Sequence, residues 1–392
     1  MQLIIVSISL VLFISYAALI LYYRRSWAGI TPTNLFNNQQ VPAKITVIIP
    51  ARNEEANISH CLNSVLNQTY TASPYEVIVI DDFSTDSTAA IVKSYGEKIK
   101  LISLKDQIDS PINSYKKKAI EIAITQSTGD IIVITDADCI VPATWLQNIA
   151  LCFSDKDQTD PTVFVVAPVA FSVENKFIHI FQSLDFMTLQ GITGASVYKK
   201  IHSMCNGANL AYSKKVFYEV NGFEGIDHIA SGDDMLLMHK IFKRYPNGIK
   251  FLKSPQAIVS TKPMDTLKAF FHQRIRWASK ADKYDDKRIF IVLMLVYFFN
   301  VLLLILPLQC LLHNYQLSIL NYQFSLFSFW IVLLICKTII ELFFLYPVAT
   351  FFNQLKLLWW FPVAQPFHIL YTVIAGWLGK FGNYQWKERK VK

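Results

Sequence analysis

DIIVITDAD, residues 130–138, is the stretch whose reading decides the fold. Ile131, Ile132, Val133 and Ile134, followed by Thr135, form a run of the kind found in a buried parallel strand. Asp136 and Asp138 then appear two positions apart, where such a strand runs out. Alternate residues of an extended segment point the same way, so both carboxylates can address one object. Two like charges held that close are unfavourable unless a cation sits between them or one is protonated. Hard cations such as Mg²⁺ or Mn²⁺ prefer oxygen ligands and are met by carboxylates of this kind. In isolation, a pair of solvated loop aspartates would read the same way.

Two earlier segments repeat the layout. KITVIIP (44–50) runs into Ala51-Arg52-Asn53-Glu54-Glu55 and then a helical pattern through Ile58, Cys61, Leu62, Val65 and Leu66. EVIVI (76–80) runs into Asp81-Asp82-Phe83-Ser84-Thr85-Asp86 and then a helix from about Ser87. Strands alternating with helices predict an α/β fold with a mostly parallel, doubly wound sheet. Such sheets bind ligands beyond the carboxyl ends of their strands, where Arg52–Glu54, Asp81–Asp82 and Asp136–Asp138 all fall. Each cluster alone could be loop punctuation, whereas three at one topological position point to a ligand site.

Around this region the chain is strongly apolar. Its 392 residues are 53% hydrophobic and only 17% charged, with positive mean hydropathy. Residues 3–23 carry no charge and match the ~20 apolar residues that span a bilayer. Arg24 and Arg25 follow at once, with no basic residue before them, which is opposite to a signal peptide. The expectation is an uncleaved anchor over residues 1–25 with its carboxyl side cytoplasmic. Residues 41–287 have the composition of a soluble α/β domain. Three further apolar segments follow at 289–312, about 324–346 and about 358–378, within a membrane region taken as 288–380. A basic tail, 381–392, carries Lys387, Arg389, Lys390 and Lys392 against Glu388. A cytoplasmic tail conflicts with four full crossings from an outside amino terminus, so one segment is expected to be interfacial or re-entrant. Lys356, Trp359, Trp360, Pro362 and Pro366 mark 353–366 as that segment. Lys337 and Glu341, spaced i, i+4 inside the second of these segments, are expected to pair.

The net charge of +8 reads as positive-inside bias. Nucleic-acid binding is not expected, since no basic helix or aromatic–basic interleave is present. Six scattered cysteines without CxxC spacing read as reduced and structural. The sequence does not fix an oligomeric state.

No glycine-rich phosphate loop of either common type is present, so phosphate charge would be met by a metal and basic side chains. Asp81 and Asp82 can accept bonds from a base or ribose. The Lys116-Lys117-Lys118 run opens a helix, as a solvated face or with one lysine on a nucleotide. Asn206-Gly207-Ala208-Asn209 reads as a turn into a strand, with small residues that permit close approach. Ser231-Gly232-Asp233-Asp234 precedes an amphipathic helix; its acids suit an N-cap, or a general base beside a ligand. Gln273-Arg274-Ile275-Arg276-Trp277 reads as an interfacial anchor, or as a diphosphate fork with a stacking indole.

Together these residues resemble the membrane-bound family-2 glycosyltransferases with a GT-A catalytic domain. The matching elements are VIIPARNEE (47–55), VIDDFSTDST (79–88), TDAD (135–138), GANLAY (207–212), GDDMLL (232–237) and QRIRW (273–277), in the family's order. The resemblance implies that Pro50, Arg52, Glu54, Asp81 and Asp82 form the nucleotide site, joined by Lys116 and Asp136. It implies that Asp136 and Asp138 are the DxD element holding Mg²⁺ or Mn²⁺ on the donor diphosphate. Asp234 matches the catalytic base, with Asp233 where relatives often have Glu. Gln273, Arg276 and Trp277 match QxxRW, linked to the diphosphate and the acceptor entrance. Tyr115-Lys116 stands where relatives often have Gly-Lys. The expected activity is inverting transfer from a nucleotide-sugar, a UDP-sugar first, to a membrane lipid or lipid-linked glycan acceptor on the cytoplasmic side of the membrane. A small processive polysaccharide synthase is the near alternative, and a non-catalytic nucleotide- or partner-binding membrane protein the distant one.

Overall fold

The three β-branched runs become neighbouring strands of one sheet. The computed structural model describes the chain except residues 1, 34–40, 109–111, 155–159, 202–203, 230–231, 280–285, 313–315, 320–321, 382–383, 387–388 and 392. Ser231 and the tail residues Lys387, Glu388 and Lys392 therefore lie outside the described residues. In chain order the first elements are α1 (Gln2–Gly29), β1 (Ile45–Ala51), α2 (Ile58–Leu66), β2 (Tyr75–Asp81), α3 (Thr88–Lys93), β3 (Lys100–Ser103), α4 (Tyr115–Thr125) and β4 (Ile131–Ile134). There follow α5 (Trp145–Phe153), β5 (Phe164–Val166), β6 (Val169–Phe171), α6 (Phe177–Tyr198), β7 (Leu210–Ser213), α7 (Lys214–Glu219) and α8 (Met235–Arg244). The chain continues with β8 (Ile249–Phe251), β9 (Val259–Thr261), α9 (Leu267–Ala278), α10 (Lys287–Leu312), α11 (Leu326–Phe351) and α12 (Phe361–Phe381). Contacts divide it into two units that interleave along the sequence. One holds Met1–Ala28, Val173–Ile192 and Pro263–Lys392, the other Gly29–Ser172 and Thr193–Lys262.

The second unit is built on a seven-stranded sheet in the order β3-β2-β1-β4-β7-β5-β8. β1 lies parallel to both β2 and β4, and β2 parallel to β3. β7 runs antiparallel between β4 and β5, so the sheet is mixed but mostly parallel, as the sequence predicts. Val47, Ile48 and Ile49 of β1 are inaccessible to solvent, as are Ile132 and Val133 of β4. That is why these strands read as continuous apolar runs rather than alternating ones. Helices supply the cover: α2 buries Ile58, Cys61, Leu62 and Val65, the residues whose spacing marks its apolar face. In register, Ala51 stands opposite Asp81 and Ile48 opposite Ile134. The carboxyl ends of β1, β2 and β4 thus share one edge. The strand order reverses between β1 and β4, which makes that junction the crevice where an open α/β sheet receives ligands.

The first unit is mainly helical. α1, α10, α11 and the stretch Leu355–Lys380 are long and apolar enough to cross a membrane. One such helix at the amino end and three toward the carboxyl end match the sequence expectation. α11 runs on to Phe351, and a short 3-10 helix, Leu355–Trp360, leads directly into α12. Trp359 in that connection is 87% exposed, as an interfacial indole would be. Close helix approach is written into Gly379, where an added Cβ would come within 3.0 Å of the Ala278 backbone, so α12 and α9 fit only with glycine there.

Candidate functional site

At the carboxyl edge the loops after β1 and β2 hold each other. Arg52 Nη1 donates to the carbonyl oxygens of Asp82 at 2.8 Å and Phe83 at 3.1 Å. The Asn53 amide donates to Ser84 Oγ, and the Thr85 amide donates back to Asn53 Oδ1 at 2.9 Å. Asn53 and Phe83 both take positive φ, 50° and 54°, a sparsely populated conformation that these cross-ties stabilise. The Glu54 amide donates to Thr88 Oγ1, while the Glu54 carboxylate accepts from Asn57 Nδ2 at 3.0 Å. Pro50 is the half-buried position of β1, opposite Ile80. Asp81 accepts the Ser84 amide on Oδ2, and its Oδ1 is buried with no hydrogen-bond partner. An ionised carboxylate only accepts, so that oxygen asks for a ligand N–H or O–H.

Where the strand order reverses, charge converges on Lys116. Its ammonium lies 2.8 Å from Asp136 Oδ1 and 3.3 Å from Asp233 Oδ2. Burial works against the Lys116 charge, but Asp136, Asp233 and more weakly Asp234 outweigh it and hold the ammonium above the ordinary lysine range. The other two lysines of the run do different work. Lys117 is buried and donates to the carbonyls of Ile226, at 2.9 Å, and Ile229. Lys118 pairs with Glu121 along the helix. Only Lys118 fits the solvated-face reading of the run, because α4 turns the other two inward.

Asp234 caps α8. One of its oxygens accepts the Met235 amide at 2.7 Å, and the other accepts the Gly207 amide at 3.0 Å. Each oxygen keeps a second lone pair, so capping and proton acceptance are compatible. Gly207 opens the turn into β7 at the same place: a Cβ there would sit 3.2 Å from Lys116 Nζ, 3.4 Å from Asp233 Oδ2 and 3.7 Å from Asp234 Oδ2. A side chain would crowd the cluster, which explains the small residue.

Asp136 and Asp138 suit a hard cation by their oxygen donors, and Asp136 already draws an ammonium. Among the described residues no three His, Cys, Asp or Glu side chains are grouped to hold a metal. The protein would thus contribute one or two carboxylates and leave the remaining positions to ligand phosphates and water, as Mg²⁺ and Mn²⁺ sites commonly do. Behind the pair, the thiol of Cys61 donates to the Asp136 carbonyl at 3.5 Å, and that of Cys139 lies 3.6 Å from Asp138 Oδ1. Burial first, then the neighbouring Asp138 and Asp136 charges, push both thiols well above the usual range. They serve as packing, consistent with the reduced cysteines expected from the sequence.

QRIRW forms the last turns of α9, in the first unit. Arg274, which the family motif leaves unspecified, is the buried member. Its Nη2 lies 2.7 Å from Asp185 Oδ2, both side chains being 3% exposed. Its Nη1 donates to Gln273 Oε1 at 3.0 Å, and the guanidinium carbon stands 4.2 Å from the Trp277 ring centre. Tyr371 also donates to Asp185. Arg274 therefore orients both Gln273 and Trp277, while Arg276 is half-buried one position before Trp277. Sequence reasoning missed Asp185. The only signal was a lone acid within the otherwise apolar middle of α6, a position that demands a buried partner.

The comparisons with known proteins agree with this architecture. A model of glycosyl transferase family 2 matches residues 46–220. The "Probable glycosyltransferase YdaM" of Bacillus subtilis (strain 168) is 30% identical over 247 residues, 62% of this chain and 56% of the relative. The 4,4'-diaponeurosporenoate glycosyltransferase of Staphylococcus aureus (strain N315) is 34% identical over 207 residues, 52% of each chain. The chain thus spans about half the length of these curated relatives. Among solved structures, the mannosyltransferase PcManGT from Pyrobaculum calidifontis, in complex with GDP-Man and Mn²⁺, superposes with a TM-score of 0.56 at 19% identity, covering 93% of this chain and 99% of that one. That likeness concerns the fold. The family 2 glycosyl transferase match thus covers residues 46–220 of a chain that has a GT-A-type, mostly parallel sheet and, among the described residues, four helices apolar enough to cross a membrane.

Proposed function

We propose that the chain is an inverting glycosyltransferase that moves a sugar from a nucleotide-sugar, a UDP-sugar first, to a hydroxyl of a membrane lipid or lipid-linked acceptor. The observation that carries this reading is the convergence of Lys116, Asp136, Asp233 and Asp234 at the sheet edge that also carries the unsatisfied Asp81 Oδ1. Asp81 and the Arg52-braced turn would bind the base and ribose, with Asp82 and Glu54 shaping the same edge. The relatives' names support a transferase, and one of them names a carotenoid-type carboxylate acceptor, which favours a lipid-like acceptor here.

Asp136 and Asp138 would hold a divalent cation that, when bound, neutralises the leaving diphosphate. Lys116 would leave Asp136 for a phosphate oxygen, keeping its charge throughout. Asp234 would take the proton from the acceptor hydroxyl as oxygen attacks the anomeric carbon from the face opposite the diphosphate. One displacement inverts the anomeric centre, and no side chain in the cluster needs to become glycosylated. Asp233, tied to Lys116, would orient that ammonium. Gln273 and Trp277, set by Arg274, would shape the acceptor entrance, and Arg276 would meet phosphate. The Arg24-Arg25 flank supports a cytoplasmic placement of residues 41–287. Separation of products tests the acceptor: membranes given labelled UDP-sugars should yield label in a discrete lipid band. A ladder of polymer would instead identify a processive synthase.

A further inference from the structure

The first unit holds a set of buried polar groups apart from the acidic sheet edge. Inside the apolar helices, Lys337 Nζ donates to Glu341 Oε1 at 2.7 Å and to Gln365 Oε1 at 2.8 Å. Gln365 Nε2 donates to Glu341 Oε2, and Tyr16 gives its hydroxyl proton to the same carboxylate. Asp185 and Arg274 form a second buried pair. Ionisable groups in membrane segments are costly and are retained chiefly where they serve a function. Packing alone does not account for them, since apolar residues of similar volume hold helices together equally well.

Asp185, Thr188, Glu341, Gln365 and His368 line one cavity, with aromatic and aliphatic residues completing its wall. Its interior is about 30 Å³, room for one or two water-sized groups, and reaches about 330 Å³ when the open mouth is included. His368 Nε2 lies 3.9 Å from Asp185 Oδ1, and its Nδ1 is buried with no hydrogen-bond partner. Lys337 is balanced by Glu341 and Arg274 by Asp185, so these two pairs leave no surplus charge for a phosphate. What remains is an imidazole nitrogen, donor or acceptor by tautomer, and the Thr188 hydroxyl, which donates to the Leu184 carbonyl and keeps free lone pairs. A hydroxyl satisfies both. Val363 and Phe367, 54% and 51% exposed on the same helix as His368, offer apolar surface for the rest of such a molecule.

We propose that this cavity binds the free hydroxyl of a neutral lipid alcohol, with His368 Nδ1 as its hydrogen-bond partner. The test is a native mass-spectrometric titration of the full chain in detergent, without sugar donor, so that it stands apart from transfer activity. The probes are 1,2-dioleoylglycerol, dioleoyl phosphatidic acid and triolein, which share acyl chains and differ in the free group. Dioleoylglycerol should bind at least tenfold more tightly than either comparator. His368→Leu, and Ala364→Phe, which fills the cavity while leaving both ion pairs, should each erase that preference. Equal or tighter binding of phosphatidic acid would make this a phosphate site and overturn the proposal. Absence of preference over triolein would reduce it to a hydrated cavity. Retention of the preference in a monodisperse variant would also overturn it, and if both variants misfold, the three-lipid comparison on the unaltered protein decides.

Discussion

Asp234 does two jobs that pull on the same carboxylate: it caps α8 through the Met235 amide and faces the Gly207 turn. Asp234→Asn keeps one oxygen for the α8 cap, loses the bond from the Gly207 amide because its NH2 only donates, and removes the proton acceptor. The expected result is a loss of transfer of about 10²–10⁴-fold, the range of general-base catalysis, with thermal unfolding little changed. Asp138→Ala should abolish metal-dependent transfer while the protein still folds, and titration of Mn²⁺ in the presence of nucleotide should show weakened binding. Cys61 and Cys139, buried and with thiols pushed up by burial and the adjacent aspartates, should resist alkylation by iodoacetamide at pH 8 until the protein is unfolded. Mass spectrometry of the labelled peptides reads this directly. At this scale Asp81, Asp136 and Asp138 were legible in sequence because they follow apolar runs, and Asp234 because it opens an amphipathic helix. The destinations of Lys116 and Lys117 were not, because a long side chain's partner is set by strand order rather than by its neighbours in the chain.

α9 shows what an element adds to a motif. QRIRW is recognisable as a string, but its spacing cannot say that Arg274 rather than Arg276 enters the interior, or that Asp185 of α6 receives it. Breaking a buried pair leaves an uncompensated charge and typically costs about 3–5 kcal/mol. Asp185→Asn should destabilise the protein on that scale, measured by thermal unfolding in detergent. Arg274→Lys should rescue little of an alanine substitution, because a lysine cannot reproduce the fork that reaches Asp185 and Gln273 together. By contrast, β1, β2 and β4 were readable to within one residue at either end. Their period is the signature of burial on both faces, and no distant partner alters it.

Over the whole molecule, the sequence foretold a mostly parallel α/β sheet and four apolar helices from composition and order alone. The interleaving of the two units was hidden, because α6 and α9 fall inside residues 41–287, a stretch whose overall composition reads as one soluble domain. The polar network of Lys337 was visible only as an i, i+4 pair; Gln365 and Tyr16 come from other helices and needed the fold. Four helices able to cross a bilayer predict that alkaline carbonate washing leaves the chain in the membrane pellet, and its release into the supernatant would contradict membrane integration. The most direct test of the central claim is transfer itself. Membranes containing the chain are incubated with labelled sugar nucleotides and Mn²⁺, and the lipid extract is counted for the parent protein, Asp138→Ala and Asp234→Asn. Label should enter the extract from at least one donor, disappear with chelation of the metal, and be absent in both variants. No label from any donor, or undiminished transfer in either variant, would contradict the assignment of the acidic sheet edge as a sugar-transfer site.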